Sequence, residues 1–167
     1  MRRALTLLLL FGLLMTACAS VNLDAPIPTY DTGVDPGAWA LVPAGEFLEG
    51  QFDAETDLDA YEIMVTDVTV AQYVRFLDAA LADGTLKLAD GEVVGFYPGD
   101  EFHGARHEEE INAGDYVIVP TDDPASRFAF DDGSFDVKPG YADHPMTNVS
   151  WFGARAYCDY YGWRLPT

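Results

Sequence analysis

The chain holds two cysteines, and their surroundings assign them different chemistry. Cys18 closes the run Met15-Thr16-Ala17-Cys18. It follows the basic pair Arg2-Arg3 and an apolar run over residues 4–14, which is short for a membrane span. A small residue directly before a cysteine is what a lipoprotein signal peptidase needs, and Ala17 supplies it. The expected fate is cleavage before Cys18 and lipid attachment to its sulfur. The alternative is an ordinary secretory signal cut after Ala17 or Ala19. With Cys18 lipidated, Cys158 is the one thiol left, so no disulfide closes within the chain. Cys158 falls on the apolar face of an expected helix, the place of a buried structural cysteine.

Other constellations have metal-ligand types at weaker spacing. His103 and His107 stand four apart, the spacing of a pair on one helix face. Gly104 weakens that helix, no third ligand is fixed, and Glu108-Glu109-Glu110 mark a solvated surface. Asp53, Glu55, Asp57 and Asp59 alternate like calcium ligands but lack the glycine and distal glutamate of an EF-hand, so residues 51–60 read as a solvated acidic loop. Asn148-Val149-Ser150 fits a glycosylation acceptor, yet Ser150 is expected to serve as a helix cap. We therefore name no catalytic, cofactor-binding or metal-binding residue from these patterns.

Composition narrows the class. The formal net charge is −19 and the pI about 4.1. Such an acidic surface opposes nucleic acid, whose phosphates need cationic neutralisation. With 49% hydrophobic and 13% aromatic residues, the chain can fill a sizeable core. Three parts are expected: a lipoprotein signal peptide over 1–17, a Pro/Asp/Gly-rich tether over 18–38, and a folded domain over 39–167. The anchor places the domain outside the cytoplasm, in a bacterial cell envelope, with the membrane as its first partner.

The elements of that domain follow from pattern. Residues 39–50 read as two short strands about a Pro43-Ala44-Gly45 turn. A strand over 61–66 leads to a helix over 70–82, with Thr69 and Gln72 as a capping box. Its apolar side is Val70, Tyr73, Val74, Phe76, Leu77, Ala80 and Leu81. Residues 85–138 are the least legible, with strand-like pieces at 92–97, 116–119 and 127–130 and a turn at Asp131-Asp132-Gly133. The densest signals lie in residues 144–167, HPMTNVSWFGARAYCDYYGWRLPT. His144-Pro145 is extended, because the residue before proline avoids the helical region. Residues 146–149 alternate as a short strand would, and Ser150 caps a helix over 151–161. That helix should turn Trp151, Ala154, Tyr157, Cys158 and Tyr161 inward, with Gly162 as a left-handed C-cap.

This stretch resembles the formylglycine-generating enzyme (sulfatase-modifying factor) family, whose signature runs roughly HPV-x-x-VSW-x-x-A-x-x-YC-x-W-x-G-x-RLPTEAEWE. His144, Pro145, Val149, Ser150, Trp151, Ala154, Tyr157, Cys158, Arg164, Leu165, Pro166 and Thr167 match it. Val42, Pro43, Ala44, Gly45, Phe47 and Gly50 match a family VPAG-x-F-x-MG phrase, with Glu49 in place of the methionine. Val68, Thr69, Tyr73 and Phe76 match an EVTN-x-x-Y-x-x-F phrase. The family's W-R-x-P-x-G phrase has no counterpart, since residues 135–141 read FDVKPGY. The resemblance implies an irregular α+β fold related to the C-type lectin fold, with two helices on short strands. It also implies that the domain is incomplete at its C-terminus, because the family motif runs on past Thr167. The implied activity is a copper-dependent oxidation of a sulfatase cysteine to formylglycine, with structural calcium, the substrate being a protein or peptide. The cysteines and calcium ligands implied by the family lie downstream of RLPT, so no cofactor is expected on these residues. The alternative is a non-catalytic surface binding or assembly module on the same fold.

Overall fold

The computed structural model describes residues 33–104, 106 and 108–166. These residues belong to one compact unit spanning 31–167. Cys18, His107 and Thr167 lie outside the described residues.

The fold is built around helix α1 (Val70–Ala82). Its apolar stripe buries Val70, Tyr73, Val74, Phe76, Leu77 and Ala80, with Leu81 half-buried beside them. The opposite side carries Arg75 into solvent. Asp83 ends the helix by donating its N–H to the Ala79 carbonyl, and Gly84 turns away at φ +82°.

The strands are β1 (Trp39–Val42), β2 (Gly45–Glu49), β3 (Ala54–Leu58), β4 (Tyr61–Met64), β5 (Leu86–Ala89), β6 (Glu92–Tyr97), β7 (Gly114–Pro120), β8 (Phe128–Asp131) and β9 (Ser134–Val137). All pairings are antiparallel, in sheets ordered β1-β4, β2-β3, β5-β6-β7 and β8-β9. Helix α2 (Trp151–Tyr160) follows. Among the described residues, the mixture of two α-helices and small antiparallel sheets is the α+β class expected from the sequence.

The first four strands correct the sequence reading. Pro43-Ala44-Gly45 is no reversal. Val42 pairs Tyr61 and Gly45 pairs Leu58, so one register carries through both strand pairs. Together they form a single long ribbon, interrupted at Pro43, which has no N–H to donate. The reversal lies at the 3-10 turn Gly50–Phe52, with Asp53 left-handed at φ 52°. Residues 54–58 of the expected acidic loop are thus strand β3: the alternation of Glu55 and Asp57 is a strand period rather than a ligand spacing.

Two further hairpins close on two-residue turns with both φ positive, Asp90-Gly91 between β5 and β6 and Asp132-Gly133 between β8 and β9. Such turns match the right-handed twist of the flanking strands. The core gathers α1, Leu86, Val93, Ile118, Val119, Phe128, Phe135 and Tyr157. The Asp78 carboxylate accepts the Phe135 N–H at 2.9 Å and ties β9 to α1.

Candidate functional site

The motif segment starts by closing the N-terminus of α1. A helix begins with four backbone N–H groups that lack intrahelical partners. Here the first two find them at the start of the motif segment and just before it: Val70 donates to the His144 carbonyl (2.9 Å) and Ala71 to the Ala142 carbonyl (3.1 Å). Gln72 donates to Thr69 Oγ1 at 3.2 Å, and Tyr73 to the Thr69 carbonyl at 2.9 Å. The Gln72 side chain accepts the Thr69 N–H at 2.8 Å, completing the capping box read from sequence. An isolated bridge joins Thr69 to Pro145, and Met146 donates to the Val68 carbonyl. Residues 146–149 form no strand of their own; this pairing replaces it. The His144 ring lies edge-on to Tyr141 at 5.2 Å, and Arg127 donates to the Pro145 carbonyl at 3.2 Å while its guanidinium sits over the Tyr141 ring.

Ser150 then mounts α2 on β7. Its hydroxyl accepts the Gly153 N–H at 2.9 Å and donates to the Val117 carbonyl, while its own N–H donates to the Ile118 carbonyl at 3.1 Å. One residue therefore caps the helix and binds it to the sheet. Gly153 lets the two backbones approach: a Cβ there would stand 2.6 Å from the Ile118 carbonyl oxygen and 2.8 Å from the Tyr73 hydroxyl. The helix ends in a Schellman arrangement, Gly162 at φ +74° donating to the Asp159 carbonyl and Trp163 to the Cys158 carbonyl. Leu165 is half-buried, Pro166 is exposed, and exposed Arg164 donates to the Leu165 carbonyl at 3.4 Å.

The inward face of α2 differs from expectation. Gly153 and Tyr157 are buried, with Phe152, Ala156, Cys158 and Tyr160 packed partly against the core. Trp151 is 50% exposed and Tyr161 40%. The face is set by how closely Gly153 lets the helix approach β7, so the large rings on either side of that line turn outward. Trp151 meets Tyr97 edge-on at 5.7 Å, and the Arg155 guanidinium lies over both rings. Arg155 also donates to the Tyr97 hydroxyl at 2.7 Å and to Asp159 at 3.3 Å, and Tyr97 donates to Asp100. The hydrogen bond to Asp100 raises the Tyr97 phenol above its ordinary range, although Arg155 pulls the other way. Sequence reading missed this network; the four-residue spacing of Arg155 and Asp159 was its one visible sign.

Cys158 is half-buried, and burial followed by the neighbouring Asp159 charge pushes its thiol above the ordinary range. A raised pKa keeps it protonated and unreactive, since the thiolate is the nucleophile and the metal ligand. Burial likewise raises Tyr73, whose hydroxyl has no hydrogen-bond partner among the described residues, and pushes Tyr157 up to about 12. The two rings stack at 5.4 Å.

Residues 101–104 form no helix, so the four-residue spacing of His103 and His107 has no helical meaning there. The His103 ring faces Glu108 at 3.2 Å and Glu101 at 3.9 Å. Among the described residues no three His, Cys, Asp or Glu side chains gather to hold a metal ion. Copper held by two thiolates needs a second cysteine beside Cys158, and the described residues supply none. They fit neither the copper nor the calcium that the resemblance implies.

Comparison with known proteins places this geometry. A family model described as the sulfatase-modifying factor enzyme 1-like domain matches residues 30–167. Among curated proteins, the chain is 26% identical over 135 residues to the serine/threonine-protein kinase pkn1 of Chlamydia pneumoniae and 27% identical over 135 residues to Pkn1 of Chlamydia trachomatis serovar L2. Each alignment covers 76% of this chain and 17% of the relative, so the chain matches only a small part of those proteins. No solved structure matches. The model match over residues 30–167 takes in every stretch that resembles the family signature, and the chain belongs to the sulfatase-modifying factor enzyme 1-like domain family.

Proposed function

We propose that this chain is a binding module on the sulfatase-modifying factor fold, held outside the cytoplasm by a lipid on Cys18. The observation that carries the reading is how the motif residues are used. Ser150 caps and mounts α2, residues 144–145 close the start of α1, and Cys158 is a half-buried thiol with a raised pKa. In these contacts the motif acts as structure. In the chlamydial relatives the similar stretch is one part of a much longer protein. Fold alone does not fix function, so the reading rests on these residues.

The family match keeps a second reading in view, the oxidation of a sulfatase cysteine to formylglycine. Incubating the full protein with copper, oxygen and a CxPxR peptide separates the two: the binding-module reading expects no aldehyde, and the oxidase reading expects one. The anchor has its own test. A clickable fatty acid fed to expressing bacteria should label the wild-type chain and leave Cys18→Ser unlabelled; equal labelling of both would refute the assignment.

A further inference from the structure

The ribbon of β1 to β4 has a distal half that nothing in the described residues covers. Every residue of β2 is exposed, and so is every residue of β3 except Thr56. Phe47 (41%), Leu48 (60%), Leu58 (40%) and Phe52 at the tip (86%) stand in solvent. A two-stranded hairpin is marginal by itself in water, and grouped apolar exposure marks an interaction surface.

Register divides its side chains between two faces. Residues directly opposite share a face, so Glu46 and Asp57 stand together, with Leu48 and Glu55 beside them. Phe47, Thr56 and Leu58 occupy the other face, with Glu49 bonded to Thr56. Like charges directly opposite destabilise a strand pair. No Lys, Arg or His occurs among residues 4–74, and no ion pair relieves Glu46, Glu55 or Asp57 among the described residues. The outer edges of β2 and β3 are unpaired in their two-stranded sheet.

We propose that this hairpin docks an extended cationic polypeptide segment, added as a third strand along an open edge. A strand alternating Lys or Arg with apolar residues would place its cations on the Glu46, Glu55 and Asp57 face and its apolar side chains beside Phe47 and Leu58. Backbone hydrogen bonds supply affinity, and the alternation supplies specificity. The site names the partner class for the binding-module reading, on which it rests. The formylglycine assay decides that reading separately.

The test uses the full chain in a neutral detergent and short fluorescein-labelled peptides alternating lysine, glutamine or glutamate with valine, read by fluorescence anisotropy. The Lys/Val peptide should bind, and more weakly at high salt because exposed charges are screened. The Gln/Val and Glu/Val peptides should bind at least tenfold more weakly. E46Q/E55Q/D57N should weaken Lys/Val binding at least tenfold and melt no lower than wild type, since it relieves repulsion. D131N/D132N/D136N, on the β8–β9 hairpin, should bind within twofold of wild type. The proposal is overturned by absent Lys/Val binding, by equal Gln/Val binding, or by wild-type affinity in the hairpin variant. A dimer in sedimentation that the hairpin variant abolishes would also overturn it, by making a second copy the occupant.

Discussion

Gly153 offers a substitution whose sign separates local from tertiary control. It lies inside α2, where glycine is a poor helix former. Replacing it with alanine in an isolated helix would stabilise by about 1 kcal/mol. In this fold the added methyl would stand 2.6 Å from the Ile118 carbonyl oxygen, 2.8 Å from the Tyr73 hydroxyl and 2.9 Å from Val149 Cγ1. The first of these is backbone, at the bulge of β7 between Val117 and Val119, where the carbonyl already accepts the Ser150 N–H, and contacts under 3.0 Å force something to shift. Overpacking of this kind costs about 1–3 kcal/mol. The shift also strains the bonds from Ser150 to Val117 and Ile118 that mount the helix. We expect Gly153→Ala to lower stability by about 1–2 kcal/mol, and the melting temperature by several degrees. Urea unfolding followed by circular dichroism measures it. A variant stabilised by about 1 kcal/mol would show that α2 does not lie against β7 as described.

Three further outcomes follow from the buried and titrating groups. Tyr73→Phe removes a buried hydroxyl that has no partner among the described residues, so the variant should be as stable as wild type or better by about 1 kcal/mol; a loss of similar size would reveal a hydrogen bond to that hydroxyl. Asp83 accepts from Thr85 and Tyr160, which depresses its pKa. Its contribution is therefore complete above the unfolded carboxyl pKa of about 3.9 and is lost as pH falls through the lower folded value. The difference in urea midpoint between wild type and Asp83→Asn should shrink on acidification below about pH 4, and a difference that grew instead would refute the assignment. In a Cys18→Ser background, Cys158 should react with iodoacetamide at mildly alkaline pH far more slowly folded than in urea; equal rates would contradict its burial and raised pKa.

The sequence disclosed most where a local rule and a tertiary contact agree. Thr69 and Gln72 form a capping box by side-chain chemistry alone, and the fold preserves it because residues 142 and 144 satisfy the remaining amides. Gly162 was legible for the same reason, since a left-handed C-cap needs a residue without Cβ. The inward face of α2 was less legible: periodicity weighs Trp151 and Tyr161 by size, whereas the helix is seated by Gly153, the residue with no side chain. The ribbon was misread because Pro43 and Gly45 carry turn signals, yet a proline can also interrupt a ribbon without reversing it. Asp90-Gly91 passed unnoticed although it is the same hairpin signal as Asp132-Gly133. Of the candidate site, the use of Ser150 was legible, whereas the Arg155–Tyr97–Asp100 network joins distant segments and has no sequence period.

The measurement closest to the central claim is peptide mass spectrometry after the full protein has been incubated with copper, oxygen and a CxPxR substrate, with hydrazide capture of any aldehyde. A module whose motif residues serve as caps and packing should return the cysteine unchanged at every copper concentration. Copper-dependent formation of formylglycine would contradict it and make the family's oxidation the function of this protein.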